Sequence, residues 1–482
     1  MSEKLTRRDF RHTKIVCTLG PASASEEVLK EMASAGMNVA RMNMSHGDHA
    51  SHGKLMQTIK KLNAELNHPI AILLDTQGPE IRTGEREAPL HLEPGEEVTL
   101  TVSPDEDTEK KSVFVNYKDM SSDLKVGDRV TVDNGIINLE VLEVFASQLR
   151  CRVLDGGKLG SRRHVNLPGI RVNLPSITEK DARDIRFGLE NDIDFIALSF
   201  VRSPDDIREC RKLIEDCGKD PASVRIYAKI ENHEGVEHFE KILEEADGIM
   251  VARGDLGVEI ELRDLPVHQR SMLHACALKG KPVIVATHLL ESMIENPTPT
   301  RAEVSDVANA VYEGTDAIML SGETSAGSYP VRCVQVMDSI ARRMEKEKSI
   351  GFHLERECHQ VGEHLARAAC KLADSLGSHA IVVTSHSGHL VSQVASFRPR
   401  TAIIYGFTDS PKVMRQLWSI RSVVPLLTEF NAEDPEEAVK RAMRELQRRN
   451  RLLSGDPIVV VSDIKAGPER IEALQVRTFD VV

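Results

Sequence analysis

Eight short apolar runs, each stopping abruptly in charged or hydroxyl-bearing residues and each separated from the next by a helical pattern, constrain the fold of this chain most. They span residues 14–19, 38–44, 70–74, 195–200, 225–230, 248–252, 282–286 and 317–320. A strand buried on both faces reads as a continuous apolar run, so polar residues that begin where it stops lie at the carboxyl edge of a parallel sheet. Eight strands alternating with helices indicate a closed (β/α)8 barrel, whose carboxyl edge is where such barrels carry their chemistry.

The stretch 226–259 shows what that chemistry requires. Its first strand ends in Lys229, Glu231 and Asn232, and its second in Arg253, Gly254 and Asp255. Two carboxylates on adjacent strand ends, Glu231 and Asp255, can share a hard cation such as Mg2+, which takes oxygen ligands and keeps some water. Lys229 adds a point charge beside it. A divalent ion, a lysine and a glycine amide together suit an anion that grows more negative as it reacts, a phosphoryl group or an enolate. A single such residue would read as a solvated strand end; this many on two successive ends point to a site.

The other strand ends add to the set. Arg41, Asn43 and Ser45 follow the second run, Asp75 and Thr76 the third, Thr287 the seventh, and Ser321 and Glu323 the eighth. Arg41 can hold a phosphate or carboxylate by its guanidinium fork. Asn43, Ser45, Asp75 and Thr76 are oxygen donors of low total charge, which suits a monovalent cation. His46, His49 and His52 look like a metal box, but their spacing does not align the outer two on one helical face, so they read as a solvated helix start. His386 and His389 are read the same way.

Between residues 81 and 164 the period changes to two, around turn signals such as Asp133-Asn134-Gly135, which marks a small all-β domain inserted after the third barrel strand. Rising from the carboxyl face as a small β-barrel, it could close over the site as a lid. From residue 345 to 482, strand patterns alternate with helices again as an open, doubly wound α/β domain. Residues 1–80 and 165–344 then form the two parts of the barrel.

Composition narrows the partners. A net charge of −12, one Trp and five Tyr argue against nucleic acid and anionic membrane surfaces. The eight cysteines have no CxxC pair and read as small buried hydrophobes in a reducing compartment. Thr6-Arg7-Arg8 is followed by no apolar segment of an export signal, and no run reaches the length of a membrane span, so a cytoplasmic protein is expected.

TLGPAS, ARMNMSHG, LLDTQGPEIRTG, VNLPG, AKIENHEG, GIMVARGDLGVE and NPTPTRAEVSDVANAVYEGTDAIMLSGET, in this order and spacing, resemble the pyruvate kinase family from about Thr13 to the last residues. The resemblance implies a glycolytic phosphotransferase passing the phosphoryl group of phosphoenolpyruvate to ADP through a Mg2+-stabilised enolate. It places Lys229 at the phosphoryl in flight and Glu231 and Asp255 on Mg2+. Arg41, Lys229, Gly254, Asp255 and Thr287 hold the substrate, with Thr287 in the path of the proton that reaches the enolate. Asn43, Ser45, Asp75 and Thr76 would hold K+, while Asn43, His46, Arg82 and Arg163 face the nucleotide. A homotetramer regulated by a phosphorylated effector is implied too, with Ser385, Ser387 and Gly388 in the effector loop.

This chain departs from the family pattern at Gln77, His288 and Arg162-Arg163, where the family carries Lys, Gln and a nucleotide lysine, so nucleotide affinity is the quantity affected. Leu390 and the segment Lys465-Ala466-Gly467-Pro468-Glu469-Arg470 depart from the effector pattern. Glu80 adds a carboxylate beside Asp75 with no lysine in its segment to balance it, which strengthens the expectation of K+. Two rivals stand beside the kinase: a Mg2+-dependent enolate lyase or aldolase on the same barrel, which needs neither Lys229 nor a lid, and a sugar-phosphate sensor that has lost catalysis.

Overall fold

The computed structural model of the chain describes residues 10–66, 68–103, 111–429, 435–449, 451–452, 454–466 and 469–479. All eight apolar runs form strands: β1 (Lys14–Thr18), β2 (Val39–Asn43), β3 (Ala71–Asp75), β4 (Phe195–Leu198), β5 (Arg225–Ile230), β6 (Gly248–Ala252), β7 (Val283–Ala286) and β8 (Ala317–Leu320). They close into a parallel barrel in which each strand lies beside its sequence neighbours and β8 returns to β1. Every residue of β1, β3, β4, β6, β7 and β8 is buried. Helices cover the outside and side chains fill the inside, so these strands carry no alternation.

Local chemistry starts and stops the helices as expected. The Ser25 hydroxyl accepts from the Val28 amide to open the helix Glu26–Ala35, and Gly36, at φ 122°, ends it.

The insert is built from strands Glu97–Thr101, Ser112–Phe114, Arg129–Val132, Ile137–Val144, Gln148–Asp155 and Val165–Asn166 in one six-stranded sheet. Arg82 bridges to His164 and Thr83 to Val115, which joins the two edges of that sheet. Asp133, Asn134 and Gly135 all take positive φ in the hairpin between 132 and 137, the left-handed turn their side chains favour. Val98, Leu139, Val153 and Leu167 share a core of their own, separate from that of the barrel.

The last domain is a five-stranded sheet with helices packed on it: β9 (Ala380–Thr384), β10 (Ile403–Thr408), β11 (Val423–Leu427), β12 (Pro457–Ala466) and β13 (Glu469–Thr478), in the order β11-β10-β9-β12-β13 with only β13 antiparallel. It docks on the floor of the barrel, opposite the carboxyl mouth. There the Tyr227 hydroxyl meets Ser419 Oγ at 2.9 Å, Lys14 Nζ donates to the Val423 carbonyl at 2.6 Å, and Arg415 Nε pairs with Asp194 at 2.8 Å.

The same floor carries a histidine whose burial should tie stability to pH. The His12 imidazole meets Ser422 Oγ at 2.9 Å, and its backbone amide donates to Glu345. Burial pushes His12 down to about 4, with Arg421 and Lys14 acting in the same direction and Glu345 against it. A folded-state value below the unfolded one means that unfolding takes up a proton between about pH 6.5 and 4, so stability is lost as pH falls through that window. The melting temperature is therefore expected to drop between pH 7 and 5, and His12→Gln should shrink the drop. Equal drops in both proteins would remove His12 from the account.

Candidate active site

Lys229 reaches the centre of the barrel mouth from the end of β5 and is buried there. Its ammonium lies 3.0 Å from Asp75 Oδ1, 3.0 Å from Glu231 Oε1 and 2.7 Å from Ser199 Oγ. Asp75 is fully buried at the end of β3, and its other oxygen accepts from Arg41 Nε at 2.5 Å, while Arg41 Nη1 donates to Thr18 Oγ1 at 2.9 Å. One carboxylate thus holds both cations that the sequence assigned to the site.

The charge states follow from this packing. Burial alone would lower the Lys229 ammonium, but Asp75 and Glu231 outweigh it and hold it above the usual lysine value. Burial would likewise raise Asp75, and Arg41 with Lys229 overcomes that and keeps its carboxyl below the usual range. Glu231 behaves differently. Burial pushes it up to about 7, Lys229 opposes the rise, and the negative charges of Asp255 and Asp75 add to it. Two carboxylates at adjacent strand ends, the charge of Asp255 adding to the rise of Glu231, form a donor set that a divalent cation would neutralise, so Glu231 and Asp255 fit the ion expected of them.

β6 passes without a break into the helix Arg253–Glu259, which carries Gly254 and Asp255 in its first turn. The Gly254 amide donates to Thr287 Oγ1 at 2.7 Å, and that hydroxyl donates to the Ala286 carbonyl at 2.6 Å. Thr287 has φ 67° and His288 has φ 55°. A β-branched residue in the left-handed region is an outlier that only surrounding structure can hold, and such strain gathers at functional sites. Arg253 does the holding: its guanidinium donates to the Ala286 and Thr287 carbonyls at 3.2 and 2.5 Å and is fixed by Asp306 at 2.8 Å.

Asn43 and Asp75 are directly paired across β2 and β3, with Ser45 and Thr76 next to them. Asn43 Oδ1 accepts from the Ser45 amide at 3.2 Å, and Thr76 Oγ1 accepts from the Ser199 amide at 3.0 Å. The four oxygen-bearing residues therefore gather at one corner of the mouth, a set of low net charge that fits a monovalent ion. The sequence argument for that ion needs one correction. Glu80 is not left without a cation: Arg82 Nε lies 2.7 Å from its carboxylate and Gln77 Nε2 donates to it at 2.9 Å. Burial would raise Glu80, and Arg82 outweighs it. The balancing charge is not a lysine but an arginine two residues on, at the base of the insert.

The remaining assigned residues divide. Arg82 and Arg163 lie on the insert, Arg82 Nη1 donating to the Arg162 carbonyl at 2.9 Å and Arg163 facing Asp133 at 3.3 Å. His46 is exposed just after β2. The three early histidines do not converge: His49 bonds Asp184 and stacks on Phe187 with 4.3 Å between ring centroids, and His52 Nε2 meets the His46 carbonyl. Glu323, counted among the polar strand ends, is fully buried and turns away, its oxygens accepting from the Ser321 and Leu290 amides. In the last domain, Ser387 and Gly388 open the helix His389–Ser396 just after β9, with Gly388 at φ 74°. The side chains of 465–470 lie outside the described residues.

Ser199 was missed. It follows β4, bonds Lys229, and its hydroxyl donates to the Thr76 carbonyl at 2.6 Å, sewing the ends of β3 and β4 together. The only signal was a hydroxyl at the end of the fourth apolar run. Chemically, the mouth offers a fixed ammonium, a guanidinium anchored from behind, a pair of carboxylates for a cation and a strained hydroxyl.

Residues 10–334 match the family profile described as pyruvate kinase, barrel domain, and residues 363–476 match that of its alpha/beta domain. The chain is 42% identical over 456 residues to plastidial pyruvate kinase 2 of Arabidopsis thaliana, covering 94% of this chain and 78% of that protein. It is 42% identical over 465 residues to a pyruvate kinase of Staphylococcus epidermidis, with 95% and 78% covered. Among the described residues, no helix is long and apolar enough to cross a membrane.

Proposed function

Since this chain belongs to the pyruvate kinase family, by both of its matched domains and by relatives 42% identical along most of its length, we propose that it transfers the phosphoryl group of phosphoenolpyruvate to ADP, giving pyruvate and ATP. The observation that carries the reading is the Lys229 ammonium, buried and fixed 3.0 Å from Asp75 and from Glu231 at the centre of the mouth. A charge held in place before the reaction stabilises oxygens that become more negative without first reorganising.

In this reading Arg41, anchored through Nε by Asp75, grips the substrate, and the Gly254 and Asp255 amides support it. Lys229 stands beside the phosphoryl group as it leaves phosphoenolpyruvate for the ADP oxygen. The enolate that remains takes a proton at its methylene carbon, and the Thr287 hydroxyl lies in that proton's path. Glu231 and Asp255 would hold Mg2+, whose chemistry here is neutralisation of phosphate and enolate charge. Asn43, Ser45, Asp75 and Thr76 would hold K+, and Asn43, His46, Arg82 and Arg163 would meet the nucleotide. A phosphorylated effector at Ser385, Ser387 and Gly388, in a homotetramer, completes the proposal.

Incubation with phosphoenolpyruvate, ADP and Mg2+ should release ATP and pyruvate in equal amounts, and no ATP would leave the lyase or aldolase reading in place. Glu231→Gln should need more Mg2+ for half-maximal rate, because one of two ionic ligands is lost; an unchanged Mg2+ titration removes Glu231 from the metal site. Activity in buffers whose only monovalent cations are bulky organic ones should be low and rise with KCl more than with NaCl. Equal turnover with and without potassium at matched ionic strength would sink the roles given to Asn43, Ser45, Asp75 and Thr76.

A further inference from the structure

Two approaches join the insert to the barrel at one short helix. Asn166 Nδ2 donates to Glu259 Oε1 at 2.8 Å, and His164 Nδ1 stands 3.8 Å from Asp255 Oδ1. The two residues of the insert are two apart on extended chain and so face the same way, about 6.6 Å from one another. Their partners are four apart on the helix Arg253–Glu259, stacked on one face with a rise of about 6 Å. The spacings match, so an extended segment of the insert lies along one face of the helix that carries Gly254 and Asp255.

Asn166 is firmly held on the insert's side. It is 3% exposed, it pairs with Thr131 in the sheet, and the neighbouring Val165 amide donates to the Ile81 carbonyl at 2.8 Å. Just beyond it the chain returns to the barrel over a cavity of about 350 Å³ lined by Ile170, Val172, Phe200, Arg202, Asn232 and Glu259. At the far side of that cavity, Arg202 grips the returning chain by the Val172 and Leu174 carbonyls at 2.9 and 2.6 Å. Between these two grips Arg171 Nε meets Glu234 at 3.2 Å beside the cavity, so polar contacts rather than packed core locate the insert on this side.

We infer that Asn166 and Glu259 are positioning residues: their hydrogen bond sets the insert over the mouth and brings Arg82 and Arg163 into register with Lys229. The inference rests on the phosphoryl-transfer reading for its kinetic test only. Removing one partner of a hydrogen bond so that a buried amide such as that of Asn166 loses its acceptor changes an equilibrium by about tenfold. Asn166→Ala and Glu259→Ala are therefore each expected to raise KM for ADP about tenfold with kcat changed far less, and the double variant should be no worse than either single one, because both remove the same contact. Glu259→Gln keeps the accepting oxygen and should stay near wild type. Hydrogen–deuterium exchange across residues 165–174 should accelerate in the alanine variants and not in Glu259→Gln. Additive effects in the double variant, or exchange unchanged in both alanine variants, would overturn the inference. Should the full chain show no transfer from phosphoenolpyruvate to ADP, the exchange measurement decides alone, which separates failure of this inference from failure of the reaction assigned.

Discussion

Lys229→Met is expected to lower phosphoryl transfer by roughly 10³, the upper range for removing one preorganised charge-stabilising donor. The structure adds that the fold will feel the change as well. Lys229 lies between Asp75 and Glu231, each 1% exposed at the side chain, and methionine would leave Glu231 without its cation. Removing one partner of a buried ion pair is strongly destabilising. The rate therefore has to be read well below the variant's melting temperature, with circular dichroism matching that of the parent. Lys229→Arg makes the complementary test. It keeps the charge, but a planar fork does not fit where a compact ammonium touches two carboxylates and a serine, so the fold should be kept better than the rate. Retention of a third of the parental turnover by Lys229→Met, in folded protein, would end the role assigned to the lysine.

Asp75→Asn should have the larger effect on stability. Asp75 is fully buried and holds Arg41 at 2.5 Å and Lys229 at 3.0 Å. Asparagine has nearly the same shape but no charge, and its amide nitrogen would be turned toward one of the two cations. Two buried cations then face one another with only Glu231 to offset them, a loss of roughly 3–5 kcal/mol by comparison with other broken buried pairs. Activity should fall with it, because Arg41 and Lys229 both lose the group that aims them. Denaturant unfolding at neutral pH together with steady-state kinetics checks both halves. A midpoint and a rate equal to those of the parent would show that the two cations are held by other means.

How much of this was legible in advance depended on the distance over which each feature is determined. The barrel could be read because burial on both faces writes itself into every strand as an unbroken apolar run, and the polar residues after each run mark the carboxyl edge. The insert could be read because a period of two replaces that pattern, and the last domain because alternating strands and helices return. Lys229, Glu231 and Asp255 were visible for the same reason, as charges placed where strands stop.

What the sequence by itself determined is thus the architecture and the list of side chains delivered to the mouth. The tertiary structure decided which of them meet. Asp75 and Lys229 are 154 residues apart, and nothing local says that one carboxylate serves both Lys229 and Arg41. Glu80 looked unbalanced until Arg82, two residues on, folded back to it, and Glu323 looked like a site residue until backbone amides claimed both its oxygens. The bond from Lys229 to Ser199, the grip of Arg253 on the Thr287 carbonyl and the Asn166–Glu259 contact across 93 residues were silent in sequence as well. For the contacts between residues far apart in the chain the physical reason is common. Burial periodicity is a property of neighbouring residues, whereas the pairing of buried charges depends on where distant strand ends converge and on which side chain reaches each partner first.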